Sequence, residues 1–166
     1  MIPFETRVGY VPGVIGRIAE LHARYYSKNW NFGSIFEAKV ASELSNFIRI
    51  YDDAKDRIWS LWVEGSIEGS LVIDGTSETN NSAHLRWFIV SDRMQGKGAG
   101  NHLMEQAVSF CRETGFNAVY LWTFHGLAAA RHLYEKYGFR LQEEHQGRQW
   151  GTTVREQKFE RTLRAP

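Results

Sequence analysis

The spacing of apolar positions changes period along the chain, and each change marks an element. Residues 4–8 read as a short first strand, closed by Gly9 and Pro12-Gly13. From Val14 the apolar set Val14, Ile18, Leu21 and Tyr25 recurs at helical spacing. After Ser34, a residue type suited to an N-cap, the positions Phe36, Val40, Leu44, Phe47 and Ile48 fall on one face of a second helix. Residues 27–33, holding Trp30 and Phe32, link the two. The period then drops to that of strands: residues 57–63 and 67–73 predict a hairpin turning at Glu64-Gly65-Ser66. A polar loop over residues 75–82 leads to a nearly continuous apolar strand, residues 84–90.

Helical spacing returns over residues 98–114, where Leu103, Met104, Ala107, Val108, Phe110 and Cys111 make the apolar stripe and Gly115 ends the helix. A strand over 118–123 precedes a helix over 127–137 that stops at Gly138, and residues 140–145 and 154–163 predict a closing pair of strands. Strands in sequence, followed by a β–α–β–α–β run, predict one α/β domain over residues 1–166, a mixed sheet with helices on its faces.

Composition removes whole classes of function. Twenty Lys+Arg against nineteen Asp+Glu leave a formal charge of +1, too balanced for a chain whose main work is neutralising a phosphate backbone, so no nucleic-acid partner is expected. Aromatic residues at 14% and hydrophobic residues at 43% exclude disorder. The single cysteine, Cys111, allows neither an internal disulfide nor a cysteine-cluster zinc site, and no metal is expected. The start, Met1-Ile2-Pro3-Phe4-Glu5, lacks a positive region followed by an apolar stretch, and no run approaches about 18 apolar residues. A cytoplasmic protein without a membrane partner is the expectation.

The chemistry concentrates in Asp92-Arg93-Met94-Gln95-Gly96-Lys97-Gly98-Ala99-Gly100, between an apolar strand and an amphipathic helix. Glycines there let a ligand approach the backbone, and the helix that follows offers free N–H groups and a positive dipole end, which suits a pyrophosphate. The GxxxxGK[ST] pattern fails because Lys97 is followed by Gly98, and GxGxxG fails at Asn101. What remains is Gln95-x-x-Gly98-x-Gly100.

This segment resembles the acetyl-CoA loop of the GNAT N-acetyltransferases, [RQ]-x-x-G-x-[GA]. A second block, Ala130-Arg131-His132-Leu133-Tyr134-Glu135-Lys136-Tyr137-Gly138-Phe139, is similar to the family's A-x-x-L-Y-E-K-x-G-F segment. The helix pair and hairpin fit as well, so the resemblance covers essentially the whole chain. It extends to bacterial GNAT domains sometimes fused behind a winged-helix regulator; since the transferase elements begin near Met1, no regulator domain is expected.

The resemblance implies the GNAT acyl-CoA N-acyltransferase fold: a central, mostly antiparallel sheet splayed at a CoA wedge, with helices on both faces. It implies acetyl-CoA as co-substrate, its pyrophosphate on the backbone of Gln95, Gly96, Lys97, Gly98, Ala99 and Gly100. The pantetheine arm would lie along Phe88, Ile89 and Val90, with Leu127, Ala130, Arg131 and Tyr134 beside it. A primary amine, on a small molecule or a protein, would attack the acetyl carbonyl directly, the oxyanion held by a backbone N–H near Val90. Tyr134 matches the tyrosine that protonates the departing thiolate; its other reading is a helix-face aromatic in the core.

Two positions depart from the pattern. Leu127 stands where many members have an Asn that bonds the pantetheine, and Arg86 where some have a Glu base; an arginine does not deprotonate an ammonium. His84 and His125 are the candidate bases through an ordered water, or polar strand-end histidines. Trp30, Phe32, Trp87, Trp122 and Trp150 are candidates for an acceptor pocket or for the core, as are Tyr25 and Tyr26. Glu143-Glu144 reads as solvated strand surface or as an attraction for a cationic amine. Two alternatives to acetyl transfer are a non-catalytic acyl-CoA-binding module and a transferase of a longer acyl group. Family members often dimerise, which admits a homodimer.

Overall fold

A computed structural model describes residues 2–76 and 80–164. Its elements follow the order β1 (Glu5–Val8), α1 (Val14–Trp30), α2 (Ser34–Arg49), β2 (Arg57–Val63), β3 (Ser66–Asp74), β4 (Ser82–Val90), a 3-10 turn (Asp92–Met94), α3 (Ala99–Thr114), β5 (Ala118–Phe124), α4 (Ala128–Lys136), β6 (Arg140–Gly147) and β7 (Val154–Thr162). The α/β expectation holds, and three local ones need correcting. Residues 27–30 continue α1 rather than linking, and the link shrinks to Asn31, in the left-handed region at φ 57°, with Phe32 and Gly33. Gly33, not Ser34, is the N-cap of α2, and no side chain bonds across that end. The hairpin turns on two residues, Glu64 and Gly65, both at positive φ, the twist that a two-residue hairpin needs. Residues 77–79 of the polar loop expected over 75–82 lie outside the described residues.

Seven strands form one sheet in the order β1-β2-β3-β4-β5-β7-β6. Every neighbouring pair is antiparallel except β4 and β5. Each face carries its own core. The apolar stripe of α3 packs with Tyr134 of α4 on one face, against Leu71, Ile73, Leu85 and Leu121. The stripes of α1 and α2 pack on the other, against Ile58, Val72, Trp87 and Ile89. Covered on both faces, β3 is buried from Ile67 to Asp74, with Leu71, Val72 and Ile73 fully buried and Glu68, Ser70 and Asp74 buried among them. Cys111 is fully buried in the α3 stripe, where burial pushes its thiol up to about 12, so it is core and no nucleophile. No described helix is long and apolar enough to cross a membrane.

Candidate active site

The site begins where the sheet comes apart. Strands β4 and β5 run parallel and pair at Ser82–Ala118, Ala83–Val119 and His84–Tyr120, and then diverge. Beyond His84 the edge of β4 that faces β5 has no strand partner, while β5 stays paired with β7 as far as Phe124. The backbone groups along that open edge are available to an extended ligand.

Just past the parting, β4 carries a bulge. Ser70 of β3 stands opposite Ile89, and Val72 stands opposite Arg86, so β4 spends one residue more than β3 over the same span. The extra residue is Trp87, at φ 45°, and its carbonyl accepts a hydrogen bond from the Ser70 hydroxyl at 2.7 Å. The bulge sends Arg86 and Trp87 toward the same side, that of α1 and α2, and the guanidinium lies 4.1 Å from the centre of the indole. Phe88 returns to the α3 face, as the alternation of Trp87 and Phe88 predicts.

At the end of β4 the chain enters the glycine loop. Gly96 and Gly98 take φ 72° and 81°, and a Cβ on either would meet no atom within 4 Å, so these glycines answer to backbone conformation rather than to packing. Gly98 is the N-cap of α3, and no side chain caps that end. The first N–H groups of a 16-residue helix are therefore left to an outside acceptor. Gly100 differs: a Cβ there would come within 3.3 Å of Leu133 and 3.5 Å of Phe88, so it lets α3 approach α4 and β4. The Gln95 side chain lies 3.4 Å from both the Val90 carbonyl and the Asp92 carboxylate, closing the loop on itself.

Two hollows flank the parting. The first, about 140 Å³, opens on the α1/α2 side. Its walls are aromatic, with Tyr26, Phe36, Trp87, Trp122, Phe124 and Trp150, and Tyr134 and His84 also line it. The second, about 300 Å³, lies between Tyr25, Asn29 and Trp30 at the end of α1 and residues 126–130 at the start of α4, Leu127 and Ala130 among them. Trp30 stands over Gly126, where a Cβ would overlap its indole, and meets Phe124 edge-on at 4.9 Å.

Tyr134 sits against Phe88, Phe139 and Phe159, at ring-centre distances of 6.3, 6.2 and 6.0 Å, and is both part of the α3-side core and a wall of the first hollow. The two readings of Tyr134, packing and site, are thus not exclusive. Burial raises its phenol above the ordinary range, so at neutral pH it holds its proton and is a donor.

The two candidate bases part company. His84 lines the hollow, stacked on Tyr120 at 4.5 Å; burial, then the Arg86 guanidinium, brings its imidazole down to about 3. That leaves it neutral and a weak base. His125 is exposed at the end of β5, outside both linings. Arg131, also outside them, pairs with Glu135 at 2.9 Å. Trp30 and Phe32 do not line the first hollow, whereas Trp87, Trp122 and Trp150 do. Glu144 pairs with Arg155 at 2.7 Å on the strand surface.

Of the residues lining the first hollow that sequence reading missed, four are charged or carry a ring or amide nitrogen. His22 of α1 lines it; its Nδ1–H donates to the Ile18 carbonyl at 2.8 Å, so Nε2 is the free nitrogen, and burial holds it down to about 4. It is polar yet four residues past Ile18 on the apolar stripe, and that position was the available signal. Lys39 and Glu43 of α2 pair at 2.6 Å, and Glu43 takes Arg86 at 2.8 Å across to β4. The i,i+4 spacing announces the first pair; nothing local announces the second. Arg86 also reaches Asp74 at 3.2 Å. Burial alone would raise Asp74, but hydrogen bonds from Thr76 and the Arg86 charge outweigh it and hold the carboxyl below its usual range. Gln149 is the fourth, and its amide N–H groups are tied to the buried Glu156 at 2.5 and 3.2 Å.

The sequence profile of the Acetyltransferase (GNAT) family matches residues 15–139. Camello, a probable N-acetyltransferase of Xenopus tropicalis, is 24% identical over 132 residues, 79% of this chain; the chain spans 60% of that protein's length. Among solved structures, Ard1 from Thermoplasma volcanium superposes with a TM-score of 0.75 at 20% identity, covering 98% of this chain and 99% of that one. An acetyltransferase of the GNAT family from Staphylococcus aureus Mu50 gives 0.75 at 15% identity, covering 96% and 100%. The structure of yncA from Salmonella typhimurium with its cofactor acetyl-CoA gives 0.72 at 13% identity, covering 98% and 96%.

Proposed function

The chain belongs to the GNAT acetyltransferase family, and from that premise we propose that it moves the acetyl group of acetyl-CoA to a primary amine in a single ternary complex. One observation carries the reading: the β4–β5 parting joins an uncapped glycine loop at one end to an aromatic-lined hollow with a buried phenol at the other. The residues on the donor side suit a CoA thioester. Gly96 and Gly98 are open and left-handed, the N-terminus of α3 lacks a capping side chain, and β4 has a free edge. When bound, acetyl-CoA supplies an activated acyl group.

The chain's own groups do the rest. The loop backbone from Gln95 to Gly100 holds the pyrophosphate, and the main chain of Phe88, Ile89 and Val90 orients the arm. The Tyr134 hydroxyl gives its proton to the departing sulfur and is restored by the proton that the amine nitrogen sheds on becoming an amide. His22 and His84, both neutral, accept or donate hydrogen bonds to the amine or its water without competing for its proton. Among the described residues no side chain is presented as an activated nucleophile, which favours direct attack over an acyl-enzyme. The test is free-thiol release from acetyl-CoA across a panel of primary amines. Steady release with any of them supports transfer. Tight acetyl-CoA binding with no release supports a second reading, a CoA-binding module without turnover, which is favoured by Arg86 standing where a carboxylate base would.

A further inference from the structure

The hollow on the α1/α2 side is chemically lopsided, and that lopsidedness selects an acceptor. Eight of the eighteen residues that line it are phenylalanine, tyrosine or tryptophan. Its charged members are Lys39, Glu43 and Arg86, two cations against one anion, gathered on α2 and the neighbouring stretch of β4. Their hydrogen bonds are equally uneven. Glu43 has both oxygens engaged, Oε1 by Lys39 and Oε2 by Arg86, and Asp74 behind them has both engaged by Thr76 and Arg86. Arg86 spends two of its five N–H donors on these contacts, and Lys39 one of its three. The lining of the corner therefore presents the spare donors of two cations beside one carboxylate, each of whose oxygens already accepts a hydrogen bond, while Asp74 behind it balances the charge of the cluster. A second ammonium on the acceptor would meet two cations there; an anionic group would meet unspent N–H groups. The hollow as a whole, about 140 Å³, has room for one ring or branched aliphatic body, since an apolar cavity of about 150 Å³ holds benzene.

We infer that the acceptor is a small amine carrying a carboxylate or similar anion beside an apolar side chain, the anion bound by Arg86 and Lys39 and the side chain by the aromatic wall. The inference rests on the transferase reading above for the fate of the amine, but not for the binding. Arg86 is held in place before any anion arrives. Trp87 stacks under its guanidinium, and Asp74 and Glu43 hold it from two sides, so little freedom is lost when an anion docks.

The experiment compares two compounds that differ only in the carboxylate, N-acetyl-L-phenylalanine and N-acetylphenethylamine, titrated into the full chain. Trp87, Trp122 and Trp150 line the hollow, so tryptophan fluorescence reads occupancy directly. The carboxylate compound should bind about 10- to 100-fold tighter, the range for hydrogen bonds to a charged group. Arg86→Gln should abolish the preference and Lys39→Gln should cut it at least about threefold; where Arg86→Gln does not fold, Lys39→Gln decides alone. Equal affinity, no binding of either compound, or a preference untouched by Lys39→Gln overturns the inference. Thiol release with L-phenylalanine and with phenethylamine separates the two readings. Carboxylate-dependent binding without release leaves the site standing and defeats transfer; equal kcat/KM with both amines defeats the inference and leaves transfer standing.

Discussion

Tyr134, His22 and His84 face one hollow with protonation fixed in advance, the phenol holding its proton and the imidazoles refusing one. Removing only the hydroxyl tests the phenol. Tyr134→Phe keeps the ring against Phe88, Phe139 and Phe159, so the fold stays, and kcat should drop about 10²-fold at neutral pH with KM for acetyl-CoA little changed. An unaltered kcat would leave the residue a packing role alone. The histidines write themselves into stability. In the unfolded chain each titrates near 6.5, and in the folded chain His22 waits until about 4 and His84 until about 3. Between those limits the unfolded state binds more protons, so stability is complete above about pH 6.5 and falls as the pH drops toward 4 and below. Urea unfolding at stepped pH should show a slope approaching two protons per molecule near pH 5, and His22→Leu or His84→Phe should each remove about one.

At the scale of elements, the glycine loop separates conformation from packing. At Gly98 any L-residue is strained by roughly 1 kcal/mol, yet space is open around it, so Gly98→Trp should cost little stability while losing CoA binding more than about 100-fold in calorimetric titration. Gly100→Trp is the poorer probe, because its side chain would collide with Leu133 and Phe88 and test folding instead. The loop was legible because glycine placement and an adjoining amphipathic helix are local signals, and the same holds for β2, whose seven residues match their expected limits. The bulge was not legible. Residues 84–90 read as an unbroken strand, and an inserted residue at Trp87 changes nothing in composition; only the register against β3 reveals it. It nevertheless decides the site, since it turns Arg86 and Trp87 to one side and makes an arginine at a vacant base position into an anion-binding group. The Arg86–Glu43 contact joins α2 to β4 across 43 residues, a pairing that no local pattern contains.

For the molecule as a whole, the parting of β4 and β5 is the seam between two halves of the sheet. Three residue pairs join these strands, whereas β5 and β7 are joined over seven, and a separate core packs on each face. A ligand that lies along the free edge of β4 and ends on α3 ties the halves together in the folded state and has no such site in the unfolded one. Its binding energy then adds to the energy of unfolding by mass action, about 2.7 kcal/mol at a concentration 100 times its Kd. For a chain of 166 residues each kcal/mol moves Tm by about 2–4 °C, so acetyl-CoA at that concentration should raise Tm by about 5–10 °C in scanning calorimetry. The same ligand should leave Gly98→Trp unmoved, because the pyrophosphate end of the site is then blocked while the seam itself is intact. A shift retained by Gly98→Trp would place the ligand elsewhere. A second, unshifted transition in the wild-type chain would mean that the two halves of the sheet unfold separately and that the ligand does not couple them.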